Sequence, residues 1–299
     1  MEDAACYNAT VTHVRRIHDE LLILRIKPDQ GPLAFLPGQY ATLGLTIDEP
    51  HVPCHEPLQA MPGVLLRRPY SFSHSPLDEM GRLVRPSEQS DHEFYIALVR
   101  SSKLGRALLT PRLFLLEPGR RLFVGTQAHG AYTLATLPSQ CDVLFAATGT
   151  GEAPHNAMIA ELLAQGHQGR ITSLICTRYR RDLAYASMHY QLAERYAHYR
   201  YLPLTTREPQ NLEAAAPGYI GKQYVQDLLR APDLAQRIGF PLNPDHVHVF
   251  LCGTPDMIGL PTNAQQPSTT TGAIAILQAM GFGLDTGVHA HNLHYERYY

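Results

Sequence analysis

Hydrophobic and polar positions alternate with a period of two through the first half of the chain, from Thr10 to about Leu134. Short runs rich in β-branched and aromatic residues are separated by proline and glycine turns, which is typical of antiparallel strands. The predicted strands are Thr10–Arg16, Leu21–Lys27, Gln39–Leu45, Arg68–Ser73, Phe94–Arg100 and Arg121–Val124. Their spacing predicts a small antiparallel β-barrel. Two polar stretches with prolines, Asp48–Pro62 and Pro76–Ser90, are interpreted as loop insertions between strands.

The pattern changes in the second half, where continuous apolar runs alternate with amphipathic segments. The apolar runs predict buried strands at Cys141–Thr148, Ile171–Cys176, Arg200–Leu204 and His246–Cys252. The amphipathic segments predict helices at Ala153–Gln165, Asp182–Ala197 and Gly272–Met280, the last after a polar loop at Gly259–Thr271. This alternation predicts a doubly wound parallel sheet with helices on both faces. We therefore expect a β-barrel domain at residues 1–137 and an α/β domain at 138–299.

Composition limits the classes of protein to which the chain can belong. Its 299 residues are 44% apolar, which is enough for two cores. The net charge of -2, without a sustained lysine or arginine run, argues against a nucleic-acid partner or an anionic membrane surface. No stretch reaches the ~20 apolar residues of a membrane span, and Met1-Glu2-Asp3 does not begin a signal-peptide pattern. We therefore expect a soluble, cytoplasmic protein.

The cysteines and histidines do not form a recognisable metal-binding pattern. The five cysteines are scattered and include no Cys-x-x-Cys pair, which fits reduced thiols and argues against an iron–sulfur centre. The spacing of His289, His291 and His294 could serve a metal, but no cysteine or carboxylate ligand accompanies them in a known pattern. No metal site is predicted.

Two motifs in the first half carry groups suited to phosphate and aromatic ligands. Arg68-Pro69-Tyr70-Ser71 combines a guanidinium with a ring that offers stacking area. Alternation along a strand would put Arg68 and Tyr70 on one face and Ser71 on the other, unless the strand ends here and turns. Thr110-Pro111 is a candidate helix start with Thr110 as the N-cap, and a helix N-terminus favours phosphate. An ordinary strand and a simple capped helix are the alternatives.

Gly149-Thr150-Gly151-Glu152-Ala153-Pro154 lies between a predicted buried strand and a predicted helix, which is the context of a phosphate-binding turn. Glycine lets the backbone approach a diphosphate, and the helix N-terminus favours its charge. The Glu152 carboxylate would repel a diphosphate if it faced the ligand, so we expect its side chain to point away. A plain strand-to-helix turn is the alternative.

Three further segments of the second half are candidates for a nucleotide site. Arg178-Tyr179-Arg180-Arg181 ends the second parallel strand, where an acidic residue would favour NAD and arginine suggests a 2′-phosphate; a solvated basic loop is the alternative. Cys252, ahead of Gly253-Thr254-Pro255, is either a buried core thiol or part of a site. The aromatic ending Tyr295-Glu296-Arg297-Tyr298-Tyr299 is either functional or a frayed tail.

In this order, and with Pro37-Gly38-Gln39-Tyr40 ahead of the first, these motifs closely resemble the ferredoxin-NADP reductase family, in particular its bacterial branch. The resemblance runs from about residue 10 to Tyr299. It implies an oxidoreductase that uses FAD and NADPH, in which hydride passes between NADPH C4 and flavin N5. The flavin would then exchange single electrons with a ferredoxin or flavodoxin.

The resemblance also implies roles for individual residues. FAD would be bound by Arg68, Pro69, Tyr70, Ser71, Leu109, Thr110, Thr148, Tyr298 and Tyr299. NADP would be bound by Gly149, Thr150, Gly151, Thr177, Arg178, Thr206, Arg207, Lys222, Gly253, Thr254 and Pro255. The catalytic residues would be Ser71, Cys252, Glu296 and Tyr298. Glu152 and Lys222 depart from the family pattern, which usually has an uncharged residue and often an arginine at these two positions.

Two other functions stay open from the sequence. One is an NADPH-dependent flavoprotein reductase for another acceptor, such as an oxygenase or a cytochrome. The other is a non-catalytic subunit that binds flavin or nucleotide for regulation, which the insertions and Glu152 leave open. Reduction of a bound flavin by NADPH would separate the enzymes from the regulatory subunit.

Overall fold

The computed structural model describes residues 7–55, 62–101, 107–259, 271–285 and 291–298. Its first half contains six strands, β1 Ala9–His18, β2 Leu21–Pro28, β3 Tyr40–Thr46, β4 Leu65–Ser73, β5 His92–Ala97 and β6 Arg121–Val124. They form a closed barrel in the order β1-β2-β5-β4-β3-β6 with antiparallel pairing. The predicted antiparallel barrel is therefore confirmed.

Apolar side chains at alternate strand positions fill the barrel. Along β3 these are Ala41, Leu43 and Leu45, and they pack with Leu24 of β2 and Phe94 of β5. The sheet closes because β6 pairs with both β1 and β3, so the barrel has no free edge there. A four-residue helix, α1 Thr110–Leu113, contributes its leucine to the same core.

The second half contains a parallel sheet of five strands. These are β7 Asp142–Thr148, β8 Ile171–Thr177, β9 Tyr199–Thr205, β10 Val247–Gly253 and β11 Leu293–Arg297. The order is β11-β10-β7-β8-β9, and every neighbouring pair is parallel. The helices are α2 Glu152–Ala164, α3 Ala186–Arg195, α4 Pro209–Leu212, α5 Val225–Leu229, α6 Leu234–Ile238, α7 Pro255–Ile258 and α8 Ala273–Ala279.

Helices cover both faces of this sheet, as predicted. Phe145 of β7 packs on one side against Met158 of α2 and other residues of α2 and α3. The neighbouring Leu144 points to the other side, where it packs with Leu228 of α5 and Leu277 of α8. Alternate residues of one buried strand therefore supply two separate cores, which explains why the strand is apolar throughout.

One predicted helix differs from the structure. Arg180–Asp182 forms a 3-10 turn and α3 begins only at Ala186, because Asp182 and Tyr185 direct their polar groups to the turn and the barrel. The alternative of a frayed tail does not hold for Leu293–Arg297, which pair with β10 as strand β11. The predicted loop Gly259–Thr271 and the first insertion lie partly outside the described residues.

The two halves share buried contacts. Leu21 and Tyr95 of the barrel pack with Ala153 of α2 and with Tyr185. The insertion Pro76–Ser90 reaches the α/β half: its Leu77 lies in the core beside α2 and α3, and its Arg85 forms a salt bridge with Glu161 of α2. Among the helices of the described residues, none is long and apolar enough to cross a membrane.

Candidate functional site

The Arg68-Pro69-Tyr70-Ser71 motif lies within an uninterrupted strand, because β4 pairs with β3 through Ser71 and continues to Ser73. The first of the two predictions for this motif therefore holds, and Arg68 and Ser71 are on opposite faces of the strand. The Arg68 guanidinium donates to the carbonyl of Ala107 at 3.1 Å, next to the predicted phosphate turn at Leu109.

The prediction of Thr110 as an N-cap is wrong. Thr110 is the first helical residue of α1, after Leu109, and its hydroxyl accepts a hydrogen bond from the backbone N–H of Val99 at 3.0 Å. This bond connects α1 to the segment after β5, and it engages the Thr110 hydroxyl within the barrel. The predicted contacts of Leu109 and Thr110 with FAD stay predictions.

Four predicted catalytic residues come together where the barrel meets the α/β half. The Tyr298 hydroxyl donates to Ser71 Oγ at 2.9 Å, and Ser71 Oγ donates to Glu296 Oε2 at 3.1 Å. The register of β10 and β11 places Cys252 opposite Glu296, and the Cys252 thiol is hydrogen-bonded to Tyr298. The structure thus assembles groups from β4, β10 and the C-terminal segment, as the sequence predicts; Tyr299 lies outside the described residues.

Burial keeps most of this cluster uncharged. The Cys252 side chain is 0% exposed beneath Tyr298, and this burial raises the pKa of its thiol. Burial likewise raises the pKa of the Tyr298 hydroxyl. Glu296 differs: burial raises its pKa to about 7 against the opposing effect of the hydrogen bond from Ser71. Glu296 is therefore the group that changes charge near neutral pH.

We expect the stability of the protein to fall as pH rises between about 4.5 and 7, because the folded state holds the Glu296 proton after the unfolded chain has lost it. The replacement Glu296→Gln should remove this part of the pH dependence. Urea midpoints at pH 5 and pH 8 would measure it, with exposed Glu213→Gln as the control. Equal pH dependence in wild type and Glu296→Gln would contradict the raised pKa.

The predicted phosphate-binding turn is a 3-10 turn, Gly149–Gly151, that leads directly into α2. Gly149 has a φ of +53°, a conformation that glycine adopts without strain. At Gly151 an added Cβ would lie 2.2 Å from the carbonyl oxygen of Cys252, so only glycine lets the turn pack against the end of β10. Thr148 Oγ1 accepts the N–H of Thr254 at 2.9 Å and fixes the same junction.

Glu152 points away from the turn, as expected. Its side chain is 1% exposed, and its Oε1 lies 3.3 Å from Nε2 of His189 on α3. The same His189 nitrogen is 2.9 Å from Asn156 Oδ1, and the other ring nitrogen is 2.6 Å from the hydroxyl of Tyr199. The carboxylate therefore belongs to a buried polar cluster behind α2 and does not line the nucleotide side.

A cleft of about 960 Å³ runs along the carboxyl ends of the parallel strands to the barrel. Its size suits a small-molecule or cofactor site. The predicted residues that line it are Thr148, Gly149, Thr150, Thr177, Arg178, Thr206, Arg207, Lys222, Gly253, Thr254 and Tyr298. The other two predicted residues, Gly151 and Pro255, do not line the cleft. They lie in the adjacent turn and at the start of α7. A nucleotide could therefore have its ring, phosphates and base contacted along the one continuous surface of this cleft.

The cationic end of the cleft is built from the ends of β8 and β9. The Thr206 N–H donates to the carbonyl of Thr177 at 3.1 Å, and the Arg207 N–H donates to the carbonyl of Arg178 at 2.9 Å, so the two arginines are held side by side. Within the described ranges, the side chains of Arg178, Arg207 and Lys222 take part in no salt bridge. Three unpaired cations in a cleft fit an anionic ligand.

Sequence reasoning missed several residues of this cleft. Tyr179, Tyr224 and Arg230 line it from the α/β half, and His18 and Tyr95 line it from the barrel. The half-exposed Tyr224 had one sequence signal, an aromatic residue two positions after Lys222 in a polar segment. The barrel residues had none, because their approach depends on how the two halves pack.

Comparison with known proteins agrees with the geometry. The family model for an oxidoreductase NAD-binding domain matches residues 145–261. The chain is 29% identical over 249 residues to the flavodoxin/ferredoxin–NADP reductase of Escherichia coli K12, covering 83% of this chain and 85% of that one. It is 26% identical over 261 residues to the ferredoxin–NADP reductase of Pseudomonas aeruginosa, with coverages of 84% and 86%.

The chain is similar to the ferredoxin–NADP reductases over most of its length. A solved ferredoxin NADP+ reductase from Neisseria gonorrhoeae, with bound FAD and NADP, has the same fold: the TM-score is 0.72 over 97% of both chains at 17% identity. The barrel and the doubly wound half thus share the fold of that reductase over nearly the whole length of the chain.

Proposed function

We propose that the chain is an FAD-dependent reductase that transfers hydride between NADPH and flavin N5 and exchanges single electrons with a ferredoxin or flavodoxin. One observation carries the proposal: Ser71 of the barrel meets Glu296 and Tyr298 of the α/β half at one end of a cleft whose other end holds Arg178 and Arg207. Hydride transfer requires two cofactors held at one point, and this site joins a flavin motif to a nucleotide site there.

The residues present fit both cofactors. Arg68 and the neighbouring 107–110 segment would hold the FAD diphosphate, while Tyr70 and Tyr298 offer rings to the flavin. The turn Gly149–Gly151 would hold the NADP diphosphate, and Arg178 with Arg207 its 2′-phosphate. When bound, the flavin supplies the step from two-electron to one-electron chemistry.

The chain's own groups would orient and protect this chemistry. Ser71 would offer a hydroxyl to the flavin, and Tyr298 would cover the Cys252 thiol until nucleotide binds. Glu296 can hold or release a proton near neutral pH beside Ser71. The proposal also includes a division into residues 1–137 and 138–299, and a cytoplasmic location.

Anaerobic stopped-flow spectroscopy tests the proposed function. A yellow protein should bleach with NADPH much faster than with NADH, and ferredoxin or flavodoxin should then restore the colour. A colourless protein, or one that NADPH does not reduce, would contradict the enzyme assignment. Reduction by NADPH without reoxidation by either partner would indicate a different acceptor.

We expect the released flavin to be FAD, because the 107–110 segment beside Arg68 would serve a second phosphate that FMN lacks. Denaturing the purified protein and separating the flavin by chromatography identifies it directly. Recovery of FMN would show that this part of the barrel does not bind a dinucleotide. The nucleotide site could still stand in that case, since it rests on different residues.

A further inference from the structure

Arg178–Tyr185 runs from the end of β8 across to the barrel, and we call it the arginine segment. It begins with a predicted 2′-phosphate ligand and ends at the start of α3. Its second half makes side-chain contacts with the barrel. These contacts lie outside the hydride-transfer cluster around Ser71.

Asp182 connects the barrel to the residue after Arg178. His18 Nε2 of β1 lies 3.1 Å from Asp182 Oδ1, and the Tyr95 hydroxyl of β5 donates to the Asp182 carbonyl at 2.7 Å. The other carboxylate oxygen of Asp182 accepts the backbone N–H of Tyr179 at 3.0 Å. The barrel side chains His18 and Tyr95 therefore hold the 3-10 turn that follows Arg178.

Tyr185 makes a second, fully buried connection. Its hydroxyl donates to Glu93 Oε1 at 2.9 Å and lies 2.9 Å from Ser73 Oγ, which can donate to it. Glu93 is 1% exposed, and Arg25 and Ser75 satisfy its other oxygen, each at 2.8 Å. A buried carboxylate is costly unless its hydrogen bonds are complete, so Tyr185 is held firmly at this position.

Arg15 makes a third connection, close to the second. Its guanidinium donates to the carbonyl of Ala184 at 3.1 Å and lies over the ring of Tyr185 at 5.9 Å. The arginine segment is thus bonded to β1, β4 and β5, through the backbone carbonyls of Asp182 and Ala184 and through the side chains of Asp182 and Tyr185. The first residues of the segment bond to the α/β half instead. The Arg207 N–H donates to the carbonyl of Arg178, and the Arg180 N–H donates to the Glu208 carboxylate.

We infer that the barrel sets the position of the arginine segment, and that Tyr185 is a positioning residue for the preference for a 2′-phosphorylated dinucleotide. The inference rests on the proposed function. Tyr185 is 0% exposed and does not line the cleft, so it acts on a nucleotide through other residues, and the arginine segment connects it directly to Arg178. A guanidinium binds phosphate with a directional fork, and small shifts of its backbone misalign that fork.

The test is the dissociation constants of NADP+ and NAD+, measured by calorimetry on the flavin-loaded protein. Tyr185→Phe removes one hydroxyl and should weaken NADP+ binding three- to tenfold while leaving NAD+ binding within twofold. Tyr190→Phe is the matched control, because Tyr190 lies on α3, is half-exposed and is outside this network. It should leave both constants unchanged.

A double-mutant cycle shows whether the effect passes through Arg178. In the Arg178→Ala background, Tyr185→Phe should no longer change NADP+ affinity, because the group that it positions is gone. Persistence of the full effect there, equal weakening of both nucleotides, or no effect in the wild-type background would overturn the inference. Should Tyr185→Phe fail to fold, Arg15→Gln tests the same connection, with an expected two- to fivefold loss for NADP+ alone.

The wild-type constants separate this inference from the proposed function. A wild-type protein that binds NADP+ more tightly than NAD+, together with an unaltered Tyr185→Phe variant, would overturn only the positioning role. A wild-type protein that binds the two nucleotides equally would overturn the proposed NADPH preference and the positioning role with it.

Discussion

Replacing Arg178 and Arg207 together with alanine should raise the KM for NADPH about ten- to a hundredfold and leave the KM for NADH nearly unchanged. Each charge-assisted hydrogen bond to a phosphate contributes about 1.5 to 3 kcal/mol, and each ~1.4 kcal/mol is a factor of ten. The structure favours a joint effect, because the backbone bond between these residues holds the two guanidinium groups at one end of the cleft.

Steady-state kinetics with both nucleotides measures the effect of the double replacement. Arg237→Ala is the control, since this arginine belongs to the same half and lies outside the cleft. Equal weakening of NADPH and NADH would mean that Arg178 and Arg207 support the fold of the strand ends and do not read the 2′-phosphate.

Tyr298→Ser should tighten nicotinamide-nucleotide binding by up to about tenfold, reduce discrimination against NADH and slow release of the oxidised nucleotide. In the structure Tyr298 is anchored by its hydroxyl on Ser71 and by its N–H on the carbonyl of Gly253 at 3.0 Å, and it covers Cys252. A nicotinamide that reaches Cys252 has to displace this ring, which gives up about 0.5 to 1.5 kcal/mol of aromatic contact.

A lower KM together with a lower kcat would identify Tyr298 as a ring that competes with nucleotide. Tyr298→Phe separates the two parts of the side chain, because it keeps the ring and loses only the hydroxyl with its hydrogen bonds to Ser71 and Cys252. It should stay near wild type in nucleotide affinity. If Tyr298→Ser instead leaves nucleotide affinity unchanged and only loosens FAD, the ring retains flavin and does not gate the site.

Local sequence signals predicted most of the elements and many of the residues that line the cleft. The alternation around Ala41, Leu43 and Leu45 indicates directly which face of a strand is buried, and the two glycines of Gly149–Gly151 indicate a tight turn. What the sequence could not provide depends on contacts between distant segments. β11 was missed because it is a short strand of mixed polarity that depends on its parallel pairing with β10.

The same reason explains the errors near Thr110 and Asp182. Both residues are common helix-starting types, and each uses its side chain on a partner elsewhere: Val99 for Thr110, and His18 for Asp182. A single sequence indicates that such a side chain will form a local bond, but the partner is decided by the packed structure. The barrel contribution to the cleft was missed for this reason too.

The Pro76–Ser90 insertion makes the two halves poor candidates for exchange as modules. Leu77 completes the core beneath α2, and Arg85 is bound to Glu161. A barrel grafted onto the α/β half of a relative would therefore bring this loop without the surface against which it packs. In such a chimera the apolar Leu77 side chain and the charged Arg85 side chain would both be exposed. A workable chimera would have to transfer the loop together with the surfaces of α2 and α3. Its boundary would therefore be chosen by which residues are in contact, and not by a single position along the chain.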